Sequence, residues 1–209
     1  MAWFVLSSAR RIGGAKVPGP PISIPSRPGH LILMNHQSLF DIPLVVQTIT
    51  GGYPRIVTRA RYGRSIPLIS HMTRLYQYPM VDPSANREAL RKSLESLEIA
   101  GRESDVPLVV FPEGARSRDG EIGRFRSAGL AYLLQAREWT VHVLVADGFW
   151  RAGRFRDLVR GMDTVDGKVK YAGALEWTDP SADPGPFIRE ARRLMVDALA
   201  ELRGQPSRR

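Results

Sequence analysis

Leu31-Ile32-Leu33-Met34-Asn35-His36-Gln37-Ser38-Leu39-Phe40-Asp41 reads as a buried strand that opens directly into a polar loop and then a helix. The apolar run Leu31–Met34 has a strand's length rather than a helix's. Ser38 is a plausible N-cap, which places Asp41 at the third helical position and leaves Pro43 within the tolerated first turn or so. On this reading His36 lies just outside a helix and Asp41 just inside it.

Upstream, Pro18, Pro20, Pro21, Pro25 and Pro28 make an irregular entry to the strand. Downstream, Arg55–Thr58 and Tyr76–Val81 read as strands, with a helix over Ile66–Leu75 between them. Ser84 opens a longer helix in which Leu90, Leu94 and Leu97 share a face. Val106–Phe111 is the next strand, stopped by Pro112, followed by a helix from Ser127 to Gln135 and a strand Val141–Ala146. Lys168–Trp177 reads as another strand. A final amphipathic helix carries Phe187, Ala191, Leu194, Ala198 and Leu202 inward, with Arg189, Arg192 and Arg193 outward. This alternation predicts a single α/β domain: a largely parallel central sheet flanked by helices, with active residues in loops at the carboxyl ends of strands.

The 209 residues suit one core, and 43% hydrophobic with 24% charged residues is an ordinary globular composition. With no Cys, thiolate nucleophiles and thiolate metal sites are excluded. The net charge of +9 favours anionic partners such as phospholipid headgroups, coenzyme phosphates or nucleic acid, and narrows that class only weakly. Lys occurs only at Lys16, Lys92, Lys168 and Lys170. The excess of Arg fits either bidentate anion contacts or a biased genome composition. No run approaches the roughly 20 apolar residues of a transmembrane helix, and Ala2–Leu6 is too short for a signal-peptide core. The expected address is cytoplasmic, at or near the inner face of the membrane.

The chain carries no G-x-S-x-G elbow, Walker-type loop, H-E-x-x-H helix or dinucleotide glycine pattern. It does carry His36 and Asp41, five residues apart. On one regular helix their side chains would point about 140° apart, but a turn at Ser38 lets them meet. Asp41 could then fix one imidazole nitrogen and leave the other as a base, a dyad suited to deprotonating a substrate hydroxyl that attacks a thioester directly. The alternative is a capping box between Asp41 and Ser38, with His36 merely hydrogen-bonded at the strand end. His30, His71 and His142 have no acidic neighbour of this kind and read as structural or surface residues. Phe111-Pro112-Glu113-Gly114-Ala115-Arg116-Ser117-Arg118 follows a strand. Gly114 permits close approach of backbone N–H groups to an anion, and Arg116 offers a phosphate-matching fork. An ordinary polar turn fits the same composition.

Asn35-His36-Gln37-Ser38 with Asp41, followed by Phe111-Pro112-Glu113-Gly114-Ala115-Arg116-Ser117, resembles the first (N-H-x-S-x-x-D) and third (F-P-E-G-T-R-S) motifs of the lysophospholipid acyltransferases. These are the 1-acylglycerol-3-phosphate and glycerol-3-phosphate acyltransferases. The resemblance runs from about Leu31 to Gly148. It implies His36 as general base, Asp41 as its orienting partner, and Glu113, Gly114 and Arg116 as contacts for the acceptor's phosphate end. The implied donor is acyl-CoA or acyl-carrier protein, the implied acceptor a lysophospholipid or related lipid alcohol, and no metal, cofactor or nucleic acid is expected.

Three positions depart from the family pattern. Tyr78-Pro79-Met80-Val81-Asp82 is followed by Pro83 where the second motif has an Arg, the nearest basic residue being Arg87. Ala115 replaces Thr, and Val143-Leu144-Val145 lacks the prolines of the fourth motif. The alternative function is therefore a catalytically inactive protein of the same fold that binds lipid or a membrane surface. Residues 1–28 form an N-terminal segment in which Trp3-Phe4-Val5-Leu6, flanked by Arg10, Arg11 and Lys16, is a candidate interfacial anchor or a frayed end. Residues 29–203 form the expected acyltransferase domain and 204–209 a disordered tail. Trp150, Arg151, Arg154, Phe155 and Arg156 are a second candidate for contact with an anionic membrane.

Overall fold

The run that opens the loop at His36 lies at the centre of a five-stranded sheet in the computed structural model, which describes residues 2–65, 67–83, 86–152 and 162–205. In chain order the first elements are α1 (Ala2–Arg11), β1 (Ile24–Pro25), β2 (His30–Met34), α2 (Asp41–Val46), β3 (Ile49–Thr50), β4 (Arg55–Ile56) and β5 (Thr58–Arg59). Then come α3 (Tyr62–Ser65), α4 (Pro67–Leu75), β6 (Met80–Val81), α5 (Arg87–Glu103), β7 (Leu108–Val110), α6 (Ser127–Ala136), β8 (Trp139–Asp147), β9 (Lys168–Trp177) and α7 (Pro184–Leu202). The sheet order is β4-β7-β2-β8-β9, parallel throughout except for the antiparallel β8/β9 pair.

Side chains of β2 alternate between the faces of the sheet. Ile32 and Met34 join Leu6, Ala9, Leu44, Val45 and Phe149 on the α1/α2 side. Leu31 and Leu33 join Leu97, Leu130, Leu133 and Ala191 on the α5/α6/α7 side. All of β2 is buried, which is why it reads as a continuous apolar run rather than an alternating one. The expected α/β architecture with a largely parallel sheet is what the chain forms.

Several element boundaries differ from the sequence reading. Arg55–Thr58 is divided: Val57 N–H still donates to Val109 O, but Thr58 N–H donates to Pro79 O, so the chain leaves the main sheet to pair with β6. Tyr76–Val81 is not one strand, because Gln77 takes a positive φ of 51° and Pro79 has no N–H; only Met80–Val81 pairs. The long helix α5 begins at Arg87, capped by the Asn86 side chain accepting from Ala89 N–H, whereas Ser84 lies outside the described residues. On α7 the buried stripe is Ile188, Ala191, Met195, Ala198 and Leu199, with Phe187, Leu194 and Leu202 only half-buried beside it. The stripe is turned because α7 packs against α6 as well as the sheet.

Candidate active site

Register places the functional loops. Leu33 pairs with Val110 across β2/β7, and three residues beyond that pair His36 faces Glu113: its N–H donates to Glu113 Oε1 at 3.1 Å. Met34 pairs with Leu144 across β2/β8, and three residues beyond it Gln37 reaches Asp147. Asn35 bridges the same two strands, donating to Ala146 O at 2.9 Å and accepting from Ala146 N–H at 2.8 Å. The loops after three parallel strands are thus tied together at their carboxyl ends, where α/β proteins place ligands.

Between His36 and Asp41 the chain does turn back on itself. His36 Nδ1 and Asp41 Oδ2 are 2.7 Å apart, with Asp41 fully buried and the His36 side chain 20% exposed. The same Oδ2 accepts the N–H of Gln37 at 2.5 Å and of Ser38 at 2.8 Å. Ser38 is not the N-cap: helix α2 starts at Asp41, and the buried Ser38 Oγ accepts from Phe40 N–H at 3.0 Å. The capping box does not form: Asp41 is the first residue of α2, and its Oδ2 accepts from the backbone of the turn that precedes the helix. Phe111 stacks on His36 with ring centroids 4.4 Å apart. Asp41 Oδ1 is buried with no hydrogen-bond partner among the described residues.

Glu113 is buried, and both of its oxygens are used on backbone N–H groups, Oε1 on His36 and Oε2 on Gly123 at 3.3 Å. Burial pushes its carboxyl above the usual carboxylate range, against the pull of those two N–H groups. Gly114 takes φ +65°, and a Cβ there would meet Arg126 Cδ at 2.7 Å, so the tight loop depends on glycine. A cleft of about 240 Å³ opens beside it, lined by Glu113, Arg116, Ser117 and Arg124 among others. Ser117 N–H donates to His36 O at 2.7 Å, fastening the cleft's wall to the dyad's loop.

Sequence reasoning passed over three participants. Arg59, at the end of β5, donates to Gly114 O. Burial, then the neighbouring charges of Arg61 and Arg126, hold its guanidinium below the usual arginine value. No local signal marks Arg59, because the β5/β6 pairing that carries it to the loop spans about twenty residues of chain. Asn35 and Gln37 were visible only as members of a motif, and their bridging roles come from β8. Arg87 is exposed at the start of α5. Among the described residues no three His, Asp or Glu side chains are grouped to hold a metal ion. No described helix is long and apolar enough to cross a membrane. Arg154, Phe155 and Arg156 lie outside the described residues.

Comparison with known proteins places this geometry. The chain is 29% identical over 190 residues to a 1-acyl-sn-glycerol-3-phosphate acyltransferase of Cocos nucifera, covering 88% of this chain and 59% of that protein. It is 29% identical over 119 residues to the 1-acyl-sn-glycerol-3-phosphate acyltransferase of Limnanthes douglasii, covering 56% and 40%. The chain thus spans little more than half the length of the first of these relatives and less of the second. Its fold matches the crystal structure of the 1-acyl-sn-glycerophosphate acyltransferase PlsC of Thermotoga maritima, with a TM-score of 0.68 at 21% identity. That match covers 99% of this chain and 80% of that one. Residues 21–145 match the Acyltransferase family model, and the chain belongs to that family.

Proposed function

We propose that this protein is an O-acyltransferase that moves a fatty acyl group from acyl-CoA or acyl-carrier protein to a hydroxyl of a lysophospholipid or related lipid alcohol. The observation that carries the reading is the dyad: a partly exposed His36 whose Nδ1 is held by a fully buried Asp41 at 2.7 Å. The carboxylate orients the imidazole and supports its positive charge, leaving Nε2 to take the acceptor's hydroxyl proton. The freed oxygen attacks the thioester carbonyl, and collapse of the tetrahedral adduct expels the thiolate, which takes up the proton from His36. The chain contains no Cys, and Ser38 Oγ, in the loop between His36 and Asp41, is buried and accepts from Phe40 N–H. Direct transfer without an acyl-enzyme is the route this arrangement supports.

The acceptor's phosphate end would sit over Gly114 and Arg116, with Arg59 and Arg126, both against Gly114, adding positive charge. Glu113, both oxygens already engaged, braces the loop beside it. The two similar plant proteins are named for 1-acyl-sn-glycerol-3-phosphate, which makes a phosphomonoester lysolipid the first acceptor to test. Leu6 and Ala9 of α1 face the core, while Phe4 on the same helix (68% exposed) and Ile12 just past its end (87% exposed) stand in solvent, with Arg11 also exposed. This supports peripheral contact with an anionic membrane, for which the proposed side is the cytoplasmic face. Incubation with long-chain acyl-CoA or acyl-carrier protein and a panel of lysolipids tests the proposal. Thiol release that depends on a lysolipid, with a diacyl product by mass spectrometry, supports it; binding of lipid without thiol release for any acceptor favours the inactive alternative.

A further inference from the structure

Arg203, just beyond the end of α7, lies outside the segment matched by the family model, yet its guanidinium reaches the loops that carry the dyad. Its Nε donates to Asp147 Oδ2 at 2.8 Å and its Nη2 to Asp147 Oδ1 at 3.0 Å, a two-pronged pairing with the residue that ends β8. The same Nη2 donates to Gly120 O at 2.9 Å, and Nη1 pairs with Glu121. Gln37 closes the ring from the other side: its Nε2 donates to Gly120 O at 3.2 Å and to Asp147 Oδ1 at 3.4 Å, and its Oε1 accepts from Phe149 N–H at 3.1 Å. Arg203 and Gln37 thus share both acceptors. Burial works against the charge on Asp147, but the Arg203 fork and Gln37 outweigh it and hold that carboxyl below its ordinary range.

We propose that Arg203 is a positioning residue for acyl transfer, acting through Asp147, Gly120 and Gln37 on the geometry of His36 and Asp41. The path is short. Gln37 is fully buried, and its backbone N–H is one of the donors that aim Asp41 Oδ2 at His36. Gly120 ends the loop whose Ser117 N–H holds His36 O, and Gly120 N–H is itself tied to Ser117 Oγ at 2.9 Å. A planar fork matches the side-by-side carboxylate oxygens of Asp147 while also reaching the Gly120 carbonyl, a geometry the compact ammonium of Lys does not reproduce. The inference rests on the acyltransferase reading for its kinetic consequence, but not for its structural one.

The test compares Arg203→Met and Arg203→Lys with Lys170→Met, which removes a different contact of α7, the exposed Lys170–Glu201 pair. In the absence of substrate, amide hydrogen exchange at Gln37 and Ser117 is expected to quicken at least tenfold in Arg203→Met while strand β8 stays protected. Arg203→Lys should fall between, and Lys170→Met should match wild type. With acyl-CoA and a lysolipid, kcat of folded Arg203→Met is expected to fall at least tenfold with the donor KM unchanged. Wild-type exchange at both amides in Arg203→Met, or wild-type kcat, overturns the proposal. If the wild-type protein turns over no acceptor, the acyltransferase reading fails, and the exchange result alone decides whether Arg203 positions these loops.

Discussion

The backbone N–H of His36 donates to Oε1 of Glu113 at 3.1 Å, across two parallel strands whose register sets the two residues level. The other oxygen of Glu113 holds Gly123 N–H. Glu113→Ala leaves both donors without a partner, at about 1–3 kcal/mol for each buried group left unsatisfied. Chemical denaturation should show that loss, and turnover should fall with it because His36 is no longer held. Glu113→Gln keeps one accepting oxygen and should lie between. Wild-type stability in Glu113→Ala would mean that the pair does not hold the loops together.

Asp41→Asn keeps the volume of the side chain but not its charge. An amide has one accepting oxygen to set against His36 and the N–H groups of Gln37 and Ser38, and its NH2 group meets donors. Turnover is expected to fall about 10²–10⁴-fold, the range that a positioned acid–base group contributes, the upper end being the loss when a histidine base is left without its orienting carboxylate. Steady-state kinetics on folded Asp41→Asn checks this; activity within a few-fold of wild type would remove Asp41 from the dyad.

Gly114→Ala tests the loop. A side chain at φ +65° costs about 1–2 kcal/mol, and the new Cβ also meets Arg126 at 2.7 Å. The expected result is a several-fold rise in the acceptor's KM with little change in the donor's. Adding Arg126→Ala should relieve the contact but not the backbone strain, so recovery should be partial.

A hydrogen-bonded chain crosses the opposite end of the sheet. Arg27 Nε can only donate, so His30 Nε2 accepts from it at 2.9 Å; His30 Nδ1–H then donates to His142 Nε2 at 3.0 Å, and His142 Nδ1–H to Tyr171 OH at 3.1 Å. Both rings must be neutral. Burial and the facing His30 bring His142 down to about 4 from its ordinary 6.5. Burial and Arg27 lower His30, opposed by Glu176. Above pH 6.5 neither the folded nor the unfolded chain protonates His142, so it adds no pH dependence there. Between 6.5 and about 4 the unfolded chain takes up a proton that the folded one refuses, and stability falls as pH falls through that window. Urea midpoints measured from pH 7.5 to 4.5 should therefore drop more steeply for wild type than for His142→Gln; parallel curves would contradict the chain.

Much of this was legible in the sequence, for reasons that particular residues show. β2 and β8 are buried on both faces, so their apolar runs announce a parallel sheet, and the loop from Asn35 to Asp41 follows from where β2 stops. The turn that brings His36 to Asp41 is one of two readings the sequence allows, and the N-cap expected at Ser38 does not form. What stayed hidden depends on register between distant strands. Glu113 reads as a ligand contact in a motif, and only the Leu33/Val110 pairing shows that it also holds the backbone of His36. His30 and His142 are 112 residues apart, and no local pattern links them. Arg59 and Arg203 reach the loops through β5/β6 pairing and the docking of α7, neither of which leaves a mark at short range.

The central claim is that His36 is the base for direct acyl transfer from a thioester to a lipid hydroxyl. Its most direct test is single-turnover thiol release with acyl-CoA or acyl-carrier protein and 1-acylglycerol-3-phosphate, comparing wild type with His36→Ala. Loss of at least about 10²-fold in rate, with donor binding retained, is the predicted result. Release at the wild-type rate in His36→Ala would contradict the account.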